Sequence, residues 1–363
     1  MSIRIIADHS KNGLSLDEKY MLRCIEIAKN GLGTTAPNPM VGAVLVLEDK
    51  IIGEGYTSPF GGSHAEVNAI QSVIEREDLK RATLYVTLEP CSHHGKTPPC
   101  ADLIIRSGIK KVVIGLLDPH EKVAGRGIQK LKDADCEVVV GVLEDACRNH
   151  HKRFLTFHKK KRPYIILKWA ETADGFIAPE KDKRKDNPEP YWITNALARQ
   201  LVHQWRAEEQ AILVGTATVL EDNPKLNVRD WKGTSTLRVV IDKDLKIQGD
   251  HHVLDRRTAT LVLTQIQDTS KYIAEIRYEV LDFSKAIPDQ ISDILWKHNQ
   301  QSVLIEGGGK TLQTFIDANL WDEARVFEGN TSFKNGVKAP LLKAKVQSIR
   351  KIGEDTLKLY YND

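Results

Sequence analysis

No stretch of this sequence stays apolar long enough to span a membrane, so no transmembrane helix is expected. The opening residues, MSIRIIADHSKNG, also lack the apolar segment of a signal peptide. Cysteine is scarce, with five thiols scattered singly at 24, 91, 100, 136 and 147 among 363 residues. So odd and sparse a set excludes the disulfide framework of small secreted proteins. It predicts a cytosolic protein, in which a close pair of cysteines is better explained by metal or catalysis. A dominant charge is missing too, because 52 Lys and Arg face 49 Asp and Glu, for a net charge of +3. That excludes a basic field for nucleic acid and leaves room only for local charged pockets. Internal repeats and low-complexity tracts are absent as well.

What is present has the pattern of two α/β units, as the length also suggests. Ser15 and Glu18 form a capping box ahead of "LDEKYMLRCIEIAKN", with Gly31 as the stop. "VGAVLVLEDKIIGEG" reads as two strands around a polar turn, followed by a helix from about His64 to Arg76. Strand "TLYVT", a helix from about Ala101, and strands "KVVIGL" and "CEVVVGV" around another helix complete residues 1–150. This alternation predicts a mixed or parallel sheet with helices on both faces. Cys24, Cys136 and Cys147 fall in its helical or strand patterns and read as buried structural thiols.

Residues 151–163 hold six Lys or Arg residues and end in proline, which reads as a solvated basic linker. "YIILKWA" opens a second α/β unit over 164–363, with strands "AILVG", "RVVID", "LVLT" and "VLIEG" and an antiparallel finish in "TLKLYY". Residues 180–190, charged and proline-containing, read as an exposed loop.

The first chemical constellation is "GGSHAEVNAI" with "EPCSHHGKTPPC". His64 and Glu66 alone would be an ordinary exposed helix start. With a Pro-Cys loop after the next strand, they match the H-x-E…P-C…C arrangement of zinc deaminases acting on bases. One histidine and two thiolates leave a fourth zinc position for water, whose pKa falls to about 7. A carboxylate off the metal then carries the proton. Here eight residues separate Cys91 from Cys100 instead of two, and His93 and His94 are competing ligands.

"APNPMVGAV", "GGSHAEVNAI" and "TLEPCSHHGKTPPCADLI" together closely resemble the deaminase half of the bifunctional riboflavin-biosynthesis deaminase/reductase family, in which the widened cysteine loop is usual. The resemblance implies a cytidine-deaminase-like αβα fold for residues 1–150. It implies as substrate a diaminopyrimidinone carrying a ribosylamino 5′-phosphate, whose ring amine becomes a carbonyl. By position, His64, Cys91 and Cys100 would hold Zn²⁺, Glu66 would be the general acid/base, and Asn38 and Lys96 would bind substrate. One departure is Thr57, where the family usually has a histidine.

The second constellation, "SVLIEGGGKTLQTFI", reads as strand, glycine run and helix. Such a turn suits a phosphate against backbone N–H groups. It is neither a P-loop, since Leu304 replaces the first glycine, nor G-x-G-x-x-G, since Leu312 replaces the last. As a glycine run alone it could be a tight turn.

With "LKWAETADGFIA" and "WITNALARQLVHQWRAEEQAILVGTATVLEDNPKLNVR", it resembles the reductase half of the same family, which has a dihydrofolate-reductase-like α/β fold and takes a hydride from NADPH. The resemblance places Ala170, Trp192, Thr218, Asp222, Gly308 and Gly309 at the cofactor. Lys168, Arg206, Leu226, Arg229 and Glu306 would face the substrate, with Asp174 completing the opening motif. Each taken singly has an ordinary structural reading, and only their joint order carries the assignment. Pro190 stands where a substrate-contacting serine is common, and Gln210 where an aspartate is frequent.

These features predict a bifunctional enzyme with a small-molecule phosphorylated substrate, Zn²⁺ and NADPH as cofactors, no nucleic-acid or membrane partner, and association as a homo-oligomer (dimer or tetramer). The competing readings are a deaminase of another base with a changed second domain, and a zinc-stabilised binding module. The second of these needs a fourth protein ligand.

Overall fold

The computed structural model describes residues 13–92, 98–119, 125–180 and 191–362. It divides into two compact units, residues 1–159 and 160–363. Among the described residues of the first unit, the elements in order are α1 (Leu16–Ala28), β1 (Gly42–Leu47), β2 (Lys50–Tyr56), α2 (Ala65–Ser72), β3 (Thr83–Val86) and α3 (Cys100–Arg106). They are followed by β4 (Lys111–Ile114), α4 (Arg126–Asp133), β5 (Glu137–Val140), α5 (Glu144–His150) and α6 (Lys152–Lys160). The sheet order is β2-β1-β3-β4-β5, with β1 antiparallel to both β2 and β3, and β3, β4 and β5 parallel.

The expected capping box is formed: Ser15 N–H donates to Glu18 Oε2 (2.8 Å), and Glu18 N–H donates to Ser15 Oγ (3.2 Å). The α2 helix stops at Ser72, short of the expected Arg76. β-Branched Val73 and Ile74 follow it, and the Arg76 guanidinium bonds the Ile70 carbonyl at 2.5 Å, so one carbonyl freed at the helix end finds a donor. Cys24, Cys136 and Cys147 are buried. The basic segment read as a linker contains α6 instead. Phe154, Leu155 and Phe157 are buried, so one face packs while the basic side chains take the other.

The second unit runs β6 (Tyr164–Thr172), β7 (Phe176–Pro179), α7 (Ala196–Glu208), β8 (Ala211–Gly215), α8 (Thr216–Asp222), β9 (Leu237–Ile241), β10 (Thr260–Thr264) and β11 (Arg277–Val280). It continues with α9 (Ile287–Lys297), β12 (Ser302–Gly307), α10 (Gly309–Asp317), β13 (Glu323–Gly329), β14 (Gly336–Lys338), β15 (Val346–Ile352) and β16 (Asp355–Tyr361). Among the described residues nine strands form one sheet in the order β11-β10-β9-β8-β12-β6-β13-β16-β15, and β14 pairs with β7. The strands from β11 to β13 are parallel, β16 lies antiparallel to β13 in the expected "TLKLYY", and β15 forms the edge antiparallel to β16.

Alternate residues of β6 enter different cores. Ile165, Leu167 and Trp169 join one apolar cluster, and Tyr164 and Ile166 another. Both faces of the sheet are therefore covered, which explains the continuous apolar runs of β8 and β10. The order of β6, β12 and β8 makes a crevice at the strands' carboxyl ends, the usual ligand position in such sheets.

Candidate active sites

His64 is the N-cap of α2, Glu66 lies in its first turn, and Cys100 opens α3. His64 Nδ1 lies 3.7 Å from Cys91 Sγ and 3.3 Å from Cys100 Sγ, and the three ligand atoms all fall within 4.8 Å of one another. A tetrahedral zinc with Zn–S of about 2.3 Å and Zn–N of about 2.0–2.1 Å separates N from S by about 3.6 Å. The three side chains therefore fit zinc as they stand. The hydrogen bond with Cys100, with His64 nearby, draws the Cys91 thiol down from the ordinary thiol range, toward the thiolate form in which cysteine binds a metal. Burial pushes Glu66 up to about 7.

Close packing holds this site. A Cβ on Gly55 of β2 would sit 2.3 Å from Ala69 N and 2.5 Å from the Ala65 carbonyl, so glycine there lets α2 lie directly on β2. Glu89, buried two residues before Cys91, was not singled out from the sequence. Its carboxylate accepts backbone N–H bonds from Asp118, Gly125, Gly127 and Ile128 at 3.0–3.3 Å. A Cβ on Gly127 would stand 2.1 Å from the Pro90 carbonyl. The Pro90–Cys91 turn is thus fastened to the start of α4.

Asn38 is half-buried in the turn before β1, its N–H bonded to the Thr35 carbonyl at 3.0 Å. His150, also not singled out, donates from Nε2 to the Met40 carbonyl at 2.7 Å, and burial lowers its pKa to about 4. Thr57 is buried, and its Oγ1 accepts from Val41 N–H at 3.0 Å, so it braces the same loop. Lys96, with His93 and His94, lies outside the described residues, as do residues 181–190 with Pro190.

In the second unit a cavity of 1060 Å³ opens at the ends of β8, β9 and β12 and along the middle of β6. Ala170, Thr218, Asp222, Gly308 and Gly309 line it, as do Lys168 and Glu306. Lys168 sits in the middle of β6 and not at its end. Gly307 has φ +145°, a region that favours glycine. A Cβ on Gly308 would approach Thr218 Oγ1 to 3.1 Å. The cavity's size and this Cβ-free turn at the start of α10 fit a dinucleotide with its phosphates against backbone N–H groups.

At one end lies a buried charge cluster. Arg206 of α7 grips Glu306 through Nε (2.7 Å) and Nη2 (2.6 Å), and Lys168 Nζ stands 3.9 Å from the same carboxylate. Burial opposes ionisation of Glu306, but Arg206 and Lys168 outweigh it and hold the carboxyl at about 2. His203 Nε2 is 3.2 Å from Asp230, and burial, then Arg206, lowers its pKa to about 4. Arg229 joins this edge: its N–H donates to His203 Nδ1 (3.3 Å), and its guanidinium to Asn227 Oδ1 (3.3 Å).

Trp192 is 57% exposed under the Arg199 guanidinium, 4.6 Å from its ring centre, and is not among the cavity's lining residues. Leu226 is buried in an apolar cluster with Val214 and Val219. Asp174 is exposed and accepts from Thr172, Ser332 and the N–H groups of Phe333 and Lys334. It therefore staples a loop and does not face the cavity. Gln210 Oε1 accepts the Gln301 N–H at 2.5 Å, which ties the starts of β8 and β12 together.

Two family descriptions match the chain: the cytidine and deoxycytidylate deaminase zinc-binding region over residues 14–116, and the RibD C-terminal domain over residues 163–357. Riboflavin biosynthesis protein RibD of Aquifex aeolicus is 38% identical over 352 residues, covering 94% of this chain and 97% of the relative. The Escherichia coli K12 protein of the same name is 35% identical over 86% of this chain and 87% of its own. A crystal structure of the Thermotoga maritima diaminohydroxyphosphoribosylaminopyrimidine deaminase/5-amino-6-(5-phosphoribosylamino)uracil reductase superimposes with a TM-score of 0.87. It is 38% identical, over 96% of this chain and 99% of that one. Acinetobacter baumannii RibD gives a TM-score of 0.86 at 31% identity.

Proposed function

The chain belongs to the bifunctional deaminase/reductase family of riboflavin biosynthesis, and from that premise we propose which of its residues carry each reaction. The first unit hydrolyses the ring amine of 2,5-diamino-6-ribosylamino-4(3H)-pyrimidinone 5′-phosphate, with release of ammonia. The second reduces the ribosyl chain to ribityl. Zinc supplies Lewis acidity toward water in the first reaction, and NADPH supplies the hydride in the second.

His64, Cys91 and Cys100 hold the metal. Glu66 takes a proton from the attacking water and delivers it toward the ring nitrogen and the departing amine, as a new C–O bond replaces the C–N bond. Asn38 and Lys96 bind the pyrimidine and its surroundings, and Glu89 and His150 keep the flanking loops in place. In the second unit the Gly308–Gly309 turn, Ala170, Thr218 and Asp222 receive the dinucleotide. Lys168, Arg206, Arg229 and Glu306 face the sugar and its phosphate, where guanidinium forks pair with phosphate oxygens. Arg206 is already committed to Glu306, so Arg229 is the freer phosphate partner. Trp192 and Leu226 act by packing, Trp192 under the Arg199 guanidinium and Leu226 among Val214 and Val219. We also infer a homodimer, the commonest closed symmetry, in the cytosol, where the thiols of the metal site stay reduced.

The observation that carries this reading is the His64–Cys91–Cys100 triangle with buried Glu66, on one chain with a glycine-turned dinucleotide cavity. The test is turnover of the diaminopyrimidinone ribosylamino phosphate by zinc-loaded protein with and without NADPH, wild type beside Glu66→Gln. Ammonia should disappear in the variant, with NADPH consumed only after deamination. Ammonia without NADPH oxidation would reject the second activity, and no ammonia from the wild type would reject the substrate.

A further inference from the structure

Helix α7 turns His203 and Arg206 toward residues 227–230, as side chains three apart share one helix face. The segment they meet is neither helix nor strand, yet it is held at every position. Arg206 Nη1 donates to the Asn227 carbonyl (3.3 Å), Ser235 Oγ accepts the Val228 N–H (3.1 Å), and His203 Nδ1 accepts the Arg229 N–H (3.3 Å). His203 Nε2 then faces Asp230 Oδ2 at 3.2 Å. One imidazole therefore spans two consecutive residues, and the first of them is Arg229.

This bonding fixes the state of the ring. A backbone N–H can only donate, so Nδ1 is the bare nitrogen and the ring hydrogen sits on Nε2, directed at the Asp230 carboxylate. Burial, with Arg206 and Arg229 nearby, disfavours a second proton and outweighs the pull of Asp230 and Glu306. The ring stays neutral at working pH, and its acceptor stays open to the Arg229 N–H. Both ring nitrogens are spent on this segment, which leaves neither for a substrate. The ring is buried, whereas the Arg229 side chain is exposed, so a buried anchor holds the backbone from which a guanidinium reaches outward.

We propose that His203 is a positioning residue of the reductase unit: by accepting the Arg229 N–H it fixes the backbone from which Arg229 reaches the substrate's phosphate. Asp230 acts behind it, keeping the ring in the tautomer whose Nδ1 can accept. The inference rests on the phosphate role given to Arg229 above and deepens it.

The test follows NADPH oxidation by the full-length protein on the already deaminated ribosylamino phosphate. One buried hydrogen bond is worth about tenfold, so His203→Ala should raise KM for this substrate about tenfold. Its kcat should stay within about threefold, because a phosphate contact is made equally in the ground and transition states. KM for NADPH should not move. His203→Asn puts an amide oxygen where Nδ1 stood and should bring KM back to within about threefold of wild type. His203→Gln carries its amide to the Nε2 position instead and should behave like His203→Ala. In an Arg229→Gln background, itself raised about 10- to 100-fold in KM, His203→Ala should add under about twofold. All six tryptophans lie in the second unit, at 169, 192, 205, 231, 296 and 321, so urea unfolding followed by their fluorescence shows which variants are folded. Should His203→Ala fail to fold, the Asn and Gln variants, which both fill the space, decide the matter between them. A fall in kcat at unchanged KM, equal KM values in the Asn and Gln variants, or a His203→Ala effect that persists in full without Arg229 would overturn the assignment. No NADPH oxidation by the wild type would instead reject the reductase reading, and an unchanged KM in Arg229→Gln would reject its phosphate role; either result takes this inference with it.

Discussion

Replacing Glu306 by glutamine keeps the shape of the cluster and removes the one negative charge between Arg206 and Lys168. The Glu306 side chain is only 6% exposed, and those of Arg206 and Lys168 are 12% and 16%, so solvent screens the resulting repulsion poorly. Two routes give the cost. A carboxyl held at about 2 instead of an ordinary 4.5 corresponds to about 3 kcal/mol. Removing one member of a buried, hydrogen-bonded pair costs about 3–5 kcal/mol. Their agreement makes about 3 kcal/mol the expected loss at neutral pH.

Urea unfolding followed by tryptophan fluorescence isolates the second unit, which holds every tryptophan. With a urea slope of about 2 kcal/mol per molar, the midpoint should fall by about 1.5 M. The sign with pH follows from the lowered pKa. Glu306 contributes its full stabilisation above about pH 4.5 and loses it as the pH falls toward 2, so wild type and variant should converge in acid. Arg206→Met should cost a similar amount, and the double variant less than the sum, because the Arg206–Glu306 pair is removed together and only Lys168 is left without its carboxylate. A midpoint shift under about 0.5 M, or additive costs, would refute the claim that these groups form one closed unit.

At the metal centre, Cys91→Ala should abolish bound zinc, measured by atomic absorption, and ammonia release with it, while reduction of already deaminated substrate continues. Glu66→Gln should keep its zinc and slow deamination by about 10²–10⁴-fold; loss of zinc in that variant would place Glu66 among the ligands. Gly127→Ala drives a methyl into the Pro90 carbonyl and should cost about 1–3 kcal/mol, read as a lower thermal midpoint by circular dichroism together with weaker zinc retention in a chelator titration. Asn195 caps α7, accepting the Ala198 N–H at 3.0 Å, so Asn195→Ala should cost about 1 kcal/mol on the tryptophan-monitored urea curve.

What could be read from the sequence and what could not differ in range. The zinc triangle was legible because its chemistry demands residue types that rarely coincide: a histidine two before a glutamate, then two cysteines around a proline loop. The capping box of α1 was legible because both of its bonds lie within four residues. Glu89 and His150 were not, because their partners are backbone groups 29 to 110 positions away and a backbone amide or carbonyl leaves no mark in the sequence. Helix α6 was missed because its charge count hid the buried face of Phe154, Leu155 and Phe157. The reductase cavity is built from four strands, so no local spacing marks its residues, and Lys168, Ala170, Thr218, Asp222, Glu306, Gly308 and Gly309 were reached only through the family resemblance. Asp174, drawn into the site by its place in a motif, turned out to hold a loop.

The irregular backbone around both sites is organised in the same way. Glu89 collects four N–H donors after β3, Asp242 collects two beyond β9, and Asp322 accepts the Ile165 N–H at 2.8 Å while taking both Arg162 Nη groups at 2.6 and 2.8 Å. Each carboxylate is buried; Glu89 and Asp242 serve segments that leave regular structure, where backbone donors would otherwise go unpaired at about 1–3 kcal/mol apiece, while Asp322 ties Arg162 to the start of β6. An apolar residue of equal volume would fill the space and leave those donors bare. Buried acids therefore let chain segments that are neither helix nor strand hold the ligating and lining side chains at fixed positions, and that rigidity makes ångström-scale zinc geometry and a glycine-turned phosphate cradle attainable on loops.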